Sequence, residues 1–137
     1  MQVRNAVMPT PDQARDFFSA PEQGPFVMVN LLRFKTRAEY PDGAEPELSG
    51  AEAYMRYGVA VAAMVEALGG RIIYSGAVTG LLLGEVDDLW DMVALAEYPS
   101  LNAMLEMTRH PDYARIAVHR DAGLAGQLNI RTLPRPA

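Results

Sequence analysis

The sequence predicts an α+β fold of the ferredoxin-like type, with strands and helices in the order β-α-β-β-α-β. Four strand-like apolar segments and two long segments with helical periodicity follow one another in this order. A third observation concerns Asn30, a single amide in the middle of the most apolar strand. Because an embedded amide needs hydrogen-bond partners, we expect one face of the sheet to line a polar or wet space.

The composition predicts one folded domain over residues 1–137, since half of the residues are hydrophobic and 21% are charged. The chain has no cysteine, which excludes disulfides, thiol nucleophiles and zinc-thiolate sites and favours the cytoplasm. A net charge of -5 argues against nucleic acid as a partner. The chain shows neither a signal peptide nor the roughly 18 apolar residues of a membrane helix, so no membrane partner is expected.

An N-terminal extension, residues 1–23, precedes the first strand. Within it, Thr10 can cap a short helix, Pro11 suits the first helical position and Gln13 can complete a capping box. The first strand is predicted over residues 26–34, where apolar residues occupy both faces, as in a covered central strand.

Alternation along this strand separates two sets of side chains. We expect the first set to face a barrel shared with a second copy of the chain: Phe26, Met28, Asn30, Leu32 and Phe34. The second set is expected to pack on the helices: Val27, Val29 and Leu31.

A long loop, residues 36–49, follows the first strand and contains prolines, a glycine and several charges. We expect it to be mobile and to cover the mouth of a pocket, because it has little apolar surface to bury. Ser49 and Glu52 then form a capping box for the main helix, which is predicted to end at Gly69.

The second half of the chain completes the pattern. Its predicted elements are a strand at 71–83, a turn at 85–88, a strand at 89–98, a helical segment from 100 to 123 and a strand at 124–133. The helical segment is expected to break at His110, because the residue before a proline avoids helical angles.

Several short motifs in the chain resemble one known family. They are Val29-Asn30-Leu31-Leu32, Trp90-Asp91 before an apolar strand that ends in Tyr98-Pro99-Ser100, Pro111-Asp112-Tyr113, and His119-Arg120-Asp121-Ala122-Gly123-Leu124. On these residues, which span roughly 26–133, the chain resembles the domain of unknown function family thirteen-thirty, of the dimeric α/β-barrel superfamily. The resemblance implies a ferredoxin-like protomer that pairs its sheet with that of a partner. It implies no particular reaction, since related proteins carry out unrelated chemistry. Gly126-Gln127 departs from the Asp-Ser-type pair of many relatives.

Three residues are candidates for substrate binding. Asn30 could orient a ligand or bond to a neighbouring side chain. Tyr74 lies in a strand of small residues, where Gly76 and Gly80 leave room, although a strand tyrosine is often part of the core. Arg120 lies on the apolar face of its helix and could anchor an anion or form a structural ion pair.

Two residues are candidates for catalysis. Asp91, near the start of the third strand, would be a general base if buried, or a solvated strand-end carboxylate. His110, at the helix break, could turn its ring into a cleft and move a proton near neutral pH. The other histidine, His119, lies on a separate helical piece, so the spacing indicates no metal site.

Two functions from different classes remain open on the sequence. The first is a small-molecule-binding protein, and in its stronger form a cofactor-independent enzyme, that acts on a small organic acid or carbonyl compound in a barrel pocket. The second is a non-catalytic homodimeric structural or regulatory module. In both cases we expect the chain to form a homodimer, with no cofactor.

Overall fold

The computed structural model describes residues 2–136, and their helices and strands follow the predicted order. The elements are α1 (Pro11–Phe18), β1 (Phe26–Phe34), α2 (Gly50–Ala67), β2 (Arg71–Ala77), β3 (Met92–Tyr98), α3 (Leu101–Arg109), α4 (Pro111–Gly123) and β4 (Leu124–Thr132). The capping box of α1 and that of α2 both form as predicted. Within this described part of the chain, no helix is both long and apolar enough to cross a membrane.

The four strands form one antiparallel sheet in the spatial order β2-β3-β1-β4. This order, with helical crossovers between β1 and β2 and between β3 and β4, is that of the ferredoxin-like fold, so the predicted fold class is confirmed. The central β1 pairs with both β3 and β4, and places Asn30 opposite Ala94 on one side and Asn129 on the other.

The strands β2 and β3 are shorter than predicted. β2 ends at Ala77 and β3 begins at Met92, and an irregular loop replaces the predicted tight turn between them. Glycines weaken a strand, and this loop contains Gly80 and Gly84, the latter at a φ of 89°. Three consecutive leucines, Leu81 to Leu83, are exposed at the loop tip.

The predicted assignment of the two faces of β1 was wrong. Phe26, Met28 and Leu32 lie on the helix-covered face, where they are no more than 3% exposed. Phe26 and Met28 pack against helix side chains such as Val65 and Met107, and Leu32 packs against tyrosines of α2. The alternate set, which includes Val29 and Leu31, lies on the open face of the sheet and is only partly buried. Both sets are apolar, so alternation alone could not decide which one the helices cover.

The loop over residues 36–49 is docked on the helices rather than free. Ala38 is 7% exposed, and its backbone nitrogen donates a hydrogen bond to the backbone oxygen of Leu48 across the base of the loop. Near the loop tip, both carboxylate oxygens of Glu45 accept hydrogen bonds from Arg56 of α2, at 2.6 and 2.8 Å. These contacts hold the loop against α2 and α4, which gives no support to the expectation of a mobile loop.

The helices α2 and α4 approach each other closely through glycines, Gly50 on α2 and Gly123 on α4. The helix α4 ends at Gly123 and β4 begins at Leu124, so no linker separates them. This arrangement aligns one face of α4 with the side chains of α2 and with the first residues of β4, where the candidate site lies.

Candidate functional site

A cleft of about 820 Å³ lies between the helix-covered face of the sheet and the helices. The sheet contributes polar groups at Asn30, Gln127 and Asn129 to its wall. The helix α4 contributes a row one or two turns apart, Tyr113, Ala117 and Arg120, together with Asp121. Further lining comes from α1, α2 and α3. A concave space with a few polar groups among apolar walls is the usual form of a small-molecule site.

A row of hydrogen bonds crosses the floor of the cleft. The Nδ2 of Asn30 donates to the backbone oxygen of Ala94 at 3.1 Å, and its Oδ1 accepts from Nε2 of Gln127 at 2.7 Å. The Oε1 of Gln127 in turn accepts from a guanidinium nitrogen of Arg120 at 2.8 Å. Each amide is oriented by its neighbours, so the guanidinium is held in one position.

Arg120 brings a positive charge into the cleft. Its side chain is only 18% exposed, and the carboxylate of Asp121 lies 3.6 Å away, beyond ordinary hydrogen-bond distance, and is itself 64% exposed. The guanidinium has five N–H donors, and the hydrogen bonds of the described residues use one of them. The remaining donors can serve a planar anion, such as a carboxylate, in two-point contact.

Tyrosines line the wall next to Arg120. The hydroxyls of Tyr57 on α2 and Tyr113 on α4 lie 3.0 Å apart and are hydrogen-bonded to each other. Burial raises the pKa of Tyr57 well above its ordinary value, and it raises that of Tyr54 to about 12. The pKa of Tyr98 is raised for the same reason. Tyr54, Tyr57 and Tyr98 therefore stay protonated at neutral pH, and each keeps a hydroxyl proton that can be donated.

The N-terminal extension borders the mouth of the cleft. Val7, Met8 and Pro9 contribute to the lining, as do Arg15 and Phe18 of α1. Just before them, Ala6 forms a two-bond antiparallel bridge with Gln127, with N–O distances of 3.1 and 2.9 Å. The extension therefore occupies the place where the sequence predicted the loop over residues 36–49, which does not reach the lining.

The structure brings two of the predicted binding residues together and leaves one out. Asn30 and Arg120 both lie in the cleft and are connected through Gln127. Tyr74 is 57% exposed and pairs with Leu95 of the open face, on the opposite side of the sheet. Its hydroxyl lies over Gly76, so the small residues of β2 make room for this ring and not for a ligand.

The two candidate catalytic residues lie outside the cleft lining. Asp91 is exposed, and its carboxylate accepts a 2.8 Å hydrogen bond from the backbone nitrogen of Phe34 at the end of β1. His110 is the N-cap of α4, where its Nδ1 accepts from the backbone nitrogen of Asp112 at 3.0 Å. Both side chains thus complete backbone hydrogen bonding, and their catalytic roles stay predictions without geometric support.

Gln127 and the phenol pair of Tyr57 and Tyr113 were not predicted from the sequence. Gln127 is 8% exposed and sits at the centre of the hydrogen-bonded row. The signal that singled out Asn30, one amide in an apolar strand, is missing here, because the strand β4 also contains Asn129, Arg131 and Thr132. Tyr113 precedes Arg120 by seven residues, two helical turns, which places both on one face of α4.

No cluster of three or more histidine, aspartate or glutamate side chains within residues 2–136 could hold a metal ion. The charged side chains of the cleft lining are Arg15, Arg109, Arg120 and Asp121, and Arg120 is the least exposed of them. The prediction that the protein uses no cofactor stays a prediction.

Comparison with known families identifies the chain. Residues 44–131 match the family described as "Domain of unknown function (DUF1330)". The chain belongs to this family. The resemblance inferred from the motifs is therefore confirmed, although Asn30 lies before the matched segment. Among curated proteins, no sequence matches the chain significantly.

Solved structures include close relatives of this DUF1330 chain. The methylated RPA0582 protein is 39% identical, with 96% of each chain covered and a TM-score of 0.88. A second structure, described as the RPA0582 protein of unknown function from Rhodopseudomonas palustris, is 37% identical over 98% of this chain and 100% of that chain, with a TM-score of 0.87. A dimeric ferredoxin-like protein of unknown function from Thermobifida fusca is 16% identical over 80% of this chain and 90% of that chain, with a TM-score of 0.47.

Proposed function

We propose that the protein binds a small organic acid or carbonyl compound in the cleft between the sheet and the helices. The observation that carries this proposal is the mostly buried guanidinium of Arg120, which makes one hydrogen bond to a neutral acceptor and a loose ion pair with the exposed carboxylate of Asp121 at 3.6 Å. This pairing compensates only in part for withdrawing the cation from water, and an anionic ligand would offset the remaining cost. The row through Gln127 and Asn30 keeps the cation oriented toward the cleft.

Catalysis without a cofactor is the stronger form of the proposal. The hydroxyls of Tyr57 and Tyr113 and the guanidinium of Arg120 can stabilise a negatively charged oxygen, and such a charge develops when a carbonyl compound reacts. The catalytic candidates from the sequence, Asp91 and His110, do not line the cleft and are not part of this arrangement.

We also propose that two copies of the chain associate through the open face of the sheet. The location we propose is the cytoplasm, because the absence of cysteine fits a reducing compartment. Val29, Leu31 and Leu95 form its centre, and Ile130 on β4 is 45% exposed in the single chain. A contiguous apolar sheet face on one side of an antiparallel sheet calls for a second layer, and a second copy supplies a complementary one.

The binding proposal is tested by titrating short carboxylates and their primary amides, followed by thermal shift and calorimetry. Wild type should prefer the acids, because the amides carry no charge for Arg120. The variant Arg120→Gln should lose that preference, whereas Arg115→Gln, on the same helix but 74% exposed, should keep it. Equal binding of acids and amides by wild type would contradict the proposal.

A non-catalytic homodimer is the second candidate, and the apolar open face favours it. Sedimentation should show a dimer of the 15.0 kDa chain. Ile130→Lys should dissociate the dimer, whereas Leu82→Lys, at a loop position that is 97% exposed, should not. A dimer that binds none of the acids would leave this second candidate in place.

A further inference from the structure

We propose that the ligand is a short acid with a second oxygen, a carbonyl or hydroxyl, and that the phenol pair of Tyr57 and Tyr113 binds this oxygen while Arg120 binds the carboxylate. The inference rests on the proposed function, because it concerns the same ligand in the same cleft. It specifies which acids bind more tightly and which residues contact each end of the ligand.

The helix α4 determines where the two polar ends of the ligand can bind. Tyr113 and Arg120 are seven residues apart and both line the cleft, so they lie on one helix face, about 10 Å apart along the axis. Ala117 lies between them and also lines the cleft. Its methyl group leaves open the space between the phenol and the guanidinium, where a ligand can contact both.

The phenol pair leaves one donor for the ligand. Each hydroxyl has one proton, and a hydrogen bond between the two oxygens uses only one of these protons. Within residues 2–136, neither hydroxyl makes a second hydrogen bond, so the remaining proton has no protein acceptor. A carbonyl or hydroxyl oxygen in the cleft would accept it, and the hydrogen bond between the phenols would strengthen that donor.

The chemistry of the surrounding wall supports an oxygen acceptor rather than a second anion. Burial keeps Tyr57 protonated, since its pKa is raised well above the ordinary value. Near this end the wall is completed by two buried apolar side chains, Met28 and Met107, and by Tyr98, all no more than 7% exposed. A ligand with a short apolar carbon chain and an uncharged oxygen therefore fits the end of the cleft near the phenol pair, and the charged carboxylate of the ligand fits the end near Arg120.

The test uses matched pairs of acids that differ only in the second oxygen. Suitable pairs are pyruvate with propionate, levulinate with valerate, and mandelate with phenylacetate, titrated calorimetrically. For at least one pair, wild type should bind the oxygen-bearing member about threefold to tenfold more tightly, which corresponds to one hydrogen bond. The double variant Tyr57→Phe/Tyr113→Phe should reduce this ratio to near one and keep the preference for acids over amides.

Arg120→Gln should show the opposite pattern, with the acid preference lost and the oxygen preference kept. Tyr40→Phe, a phenol outside the cleft, is the control and should change neither. If the double variant does not fold, ultraviolet difference spectra of wild type replace it: the oxygen-bearing member should perturb tyrosine absorbance more than its partner does.

Three results would overturn the inference. Equal affinities within all pairs, with acids still bound, would refute it and leave the binding proposal standing. An unchanged ratio in the double variant, or identical difference spectra within each pair, would remove the phenol pair from recognition. Failure of every acid to bind would refute both proposals together.

Discussion

Gly50 and Gly123 touch through their backbones where α2 crosses α4, and neither position has room for a side chain. A Cβ atom on Gly123 would overlap the carbonyl oxygen of Gly50, and a Cβ atom on Gly50 would lie 2.8 Å from the carbonyl oxygen of Gly123. Backbone atoms cannot move aside as a side chain does. This contact sets the distance between the helix that carries Tyr57 and the helix that carries Tyr113 and Arg120.

We therefore expect Gly123→Ala to destabilise the protein by about 1–3 kcal/mol, the usual range for overpacking. Denaturant unfolding followed by circular dichroism measures the change. Gly58→Ala is the matched control, because Gly58 lies within α2 and a Cβ atom there meets nothing within 4 Å. That control should be neutral or stabilising by about 0.5–1 kcal/mol, since alanine favours a helix. Equal effects of the two changes would contradict the close contact.

Asn30→Asp is expected to destabilise the fold by roughly 1–3 kcal/mol at neutral pH. The carboxylate would face the backbone oxygen of Ala94, to which Asn30 now donates at 3.1 Å, and two acceptors repel each other. A protonated aspartic acid can donate again, so its pKa should be raised in the folded state and stability should recover as pH falls. Asn129→Asp, an exposed position on the next strand, is the control. A loss that does not depend on pH would contradict this account.

Alkaline pH should unfold the protein through its buried phenols. The folded pKa of Tyr54 is about 12 against an ordinary value of 10.0, so the folded state holds its proton more tightly than the unfolded state does. Its contribution is complete below pH 10 and is lost as pH rises toward 12. Tyr54→Phe should make the decline of stability over this window shallower, and Tyr74→Phe, on the open face, should leave it unchanged. Thermal unfolding at a series of pH values measures both slopes.

The loop over residues 36–49 should loosen in acid. The hydrogen bonds from Arg56 lower the pKa of Glu45, so the contact is complete above the ordinary value of 4.5 and is lost as pH falls through the lowered pKa. Glu45→Gln should reproduce this loosening at neutral pH, seen as faster amide exchange within the loop. Glu47→Gln, at a carboxylate that is 92% exposed, is the control. Fast exchange in the loop of the wild-type protein at neutral pH would show that it is not docked.

Local signals in the sequence were sufficient for most of the fold. Thr10 and Gln13 form their capping box within one turn, and Pro111 breaks the helix at the neighbouring residue. The faces of β1 were not predictable in this way, because both sets of side chains are apolar and only the position of the helices distinguishes them. The sequence likewise could not join Asn30 to Gln127, since the two amides are 97 positions apart.

The candidate site shows the same division between local and distant information. Arg120 was predicted from its place on an apolar helix face, which is a local pattern. The partner of Tyr57 lies 56 positions away, and only the crossing of α2 and α4 brings the two hydroxyls together. His110 was predicted to turn into a cleft from its place at a helix break, and in the structure its Nδ1 accepts a hydrogen bond from the backbone nitrogen of Asp112.

The direct passage from α4 into β4 makes one wall of the cleft a single stiff body. Arg120 lies in the last turn of the helix and Gln127 near the start of the strand, so the helix continues into the strand with no loop between them. A ligand would meet this wall already in its final shape and would lose little affinity to ordering it. For contacts with this wall, the rate of ligand association then depends on diffusion and on the charge of Arg120 rather than on a closing motion of the protein.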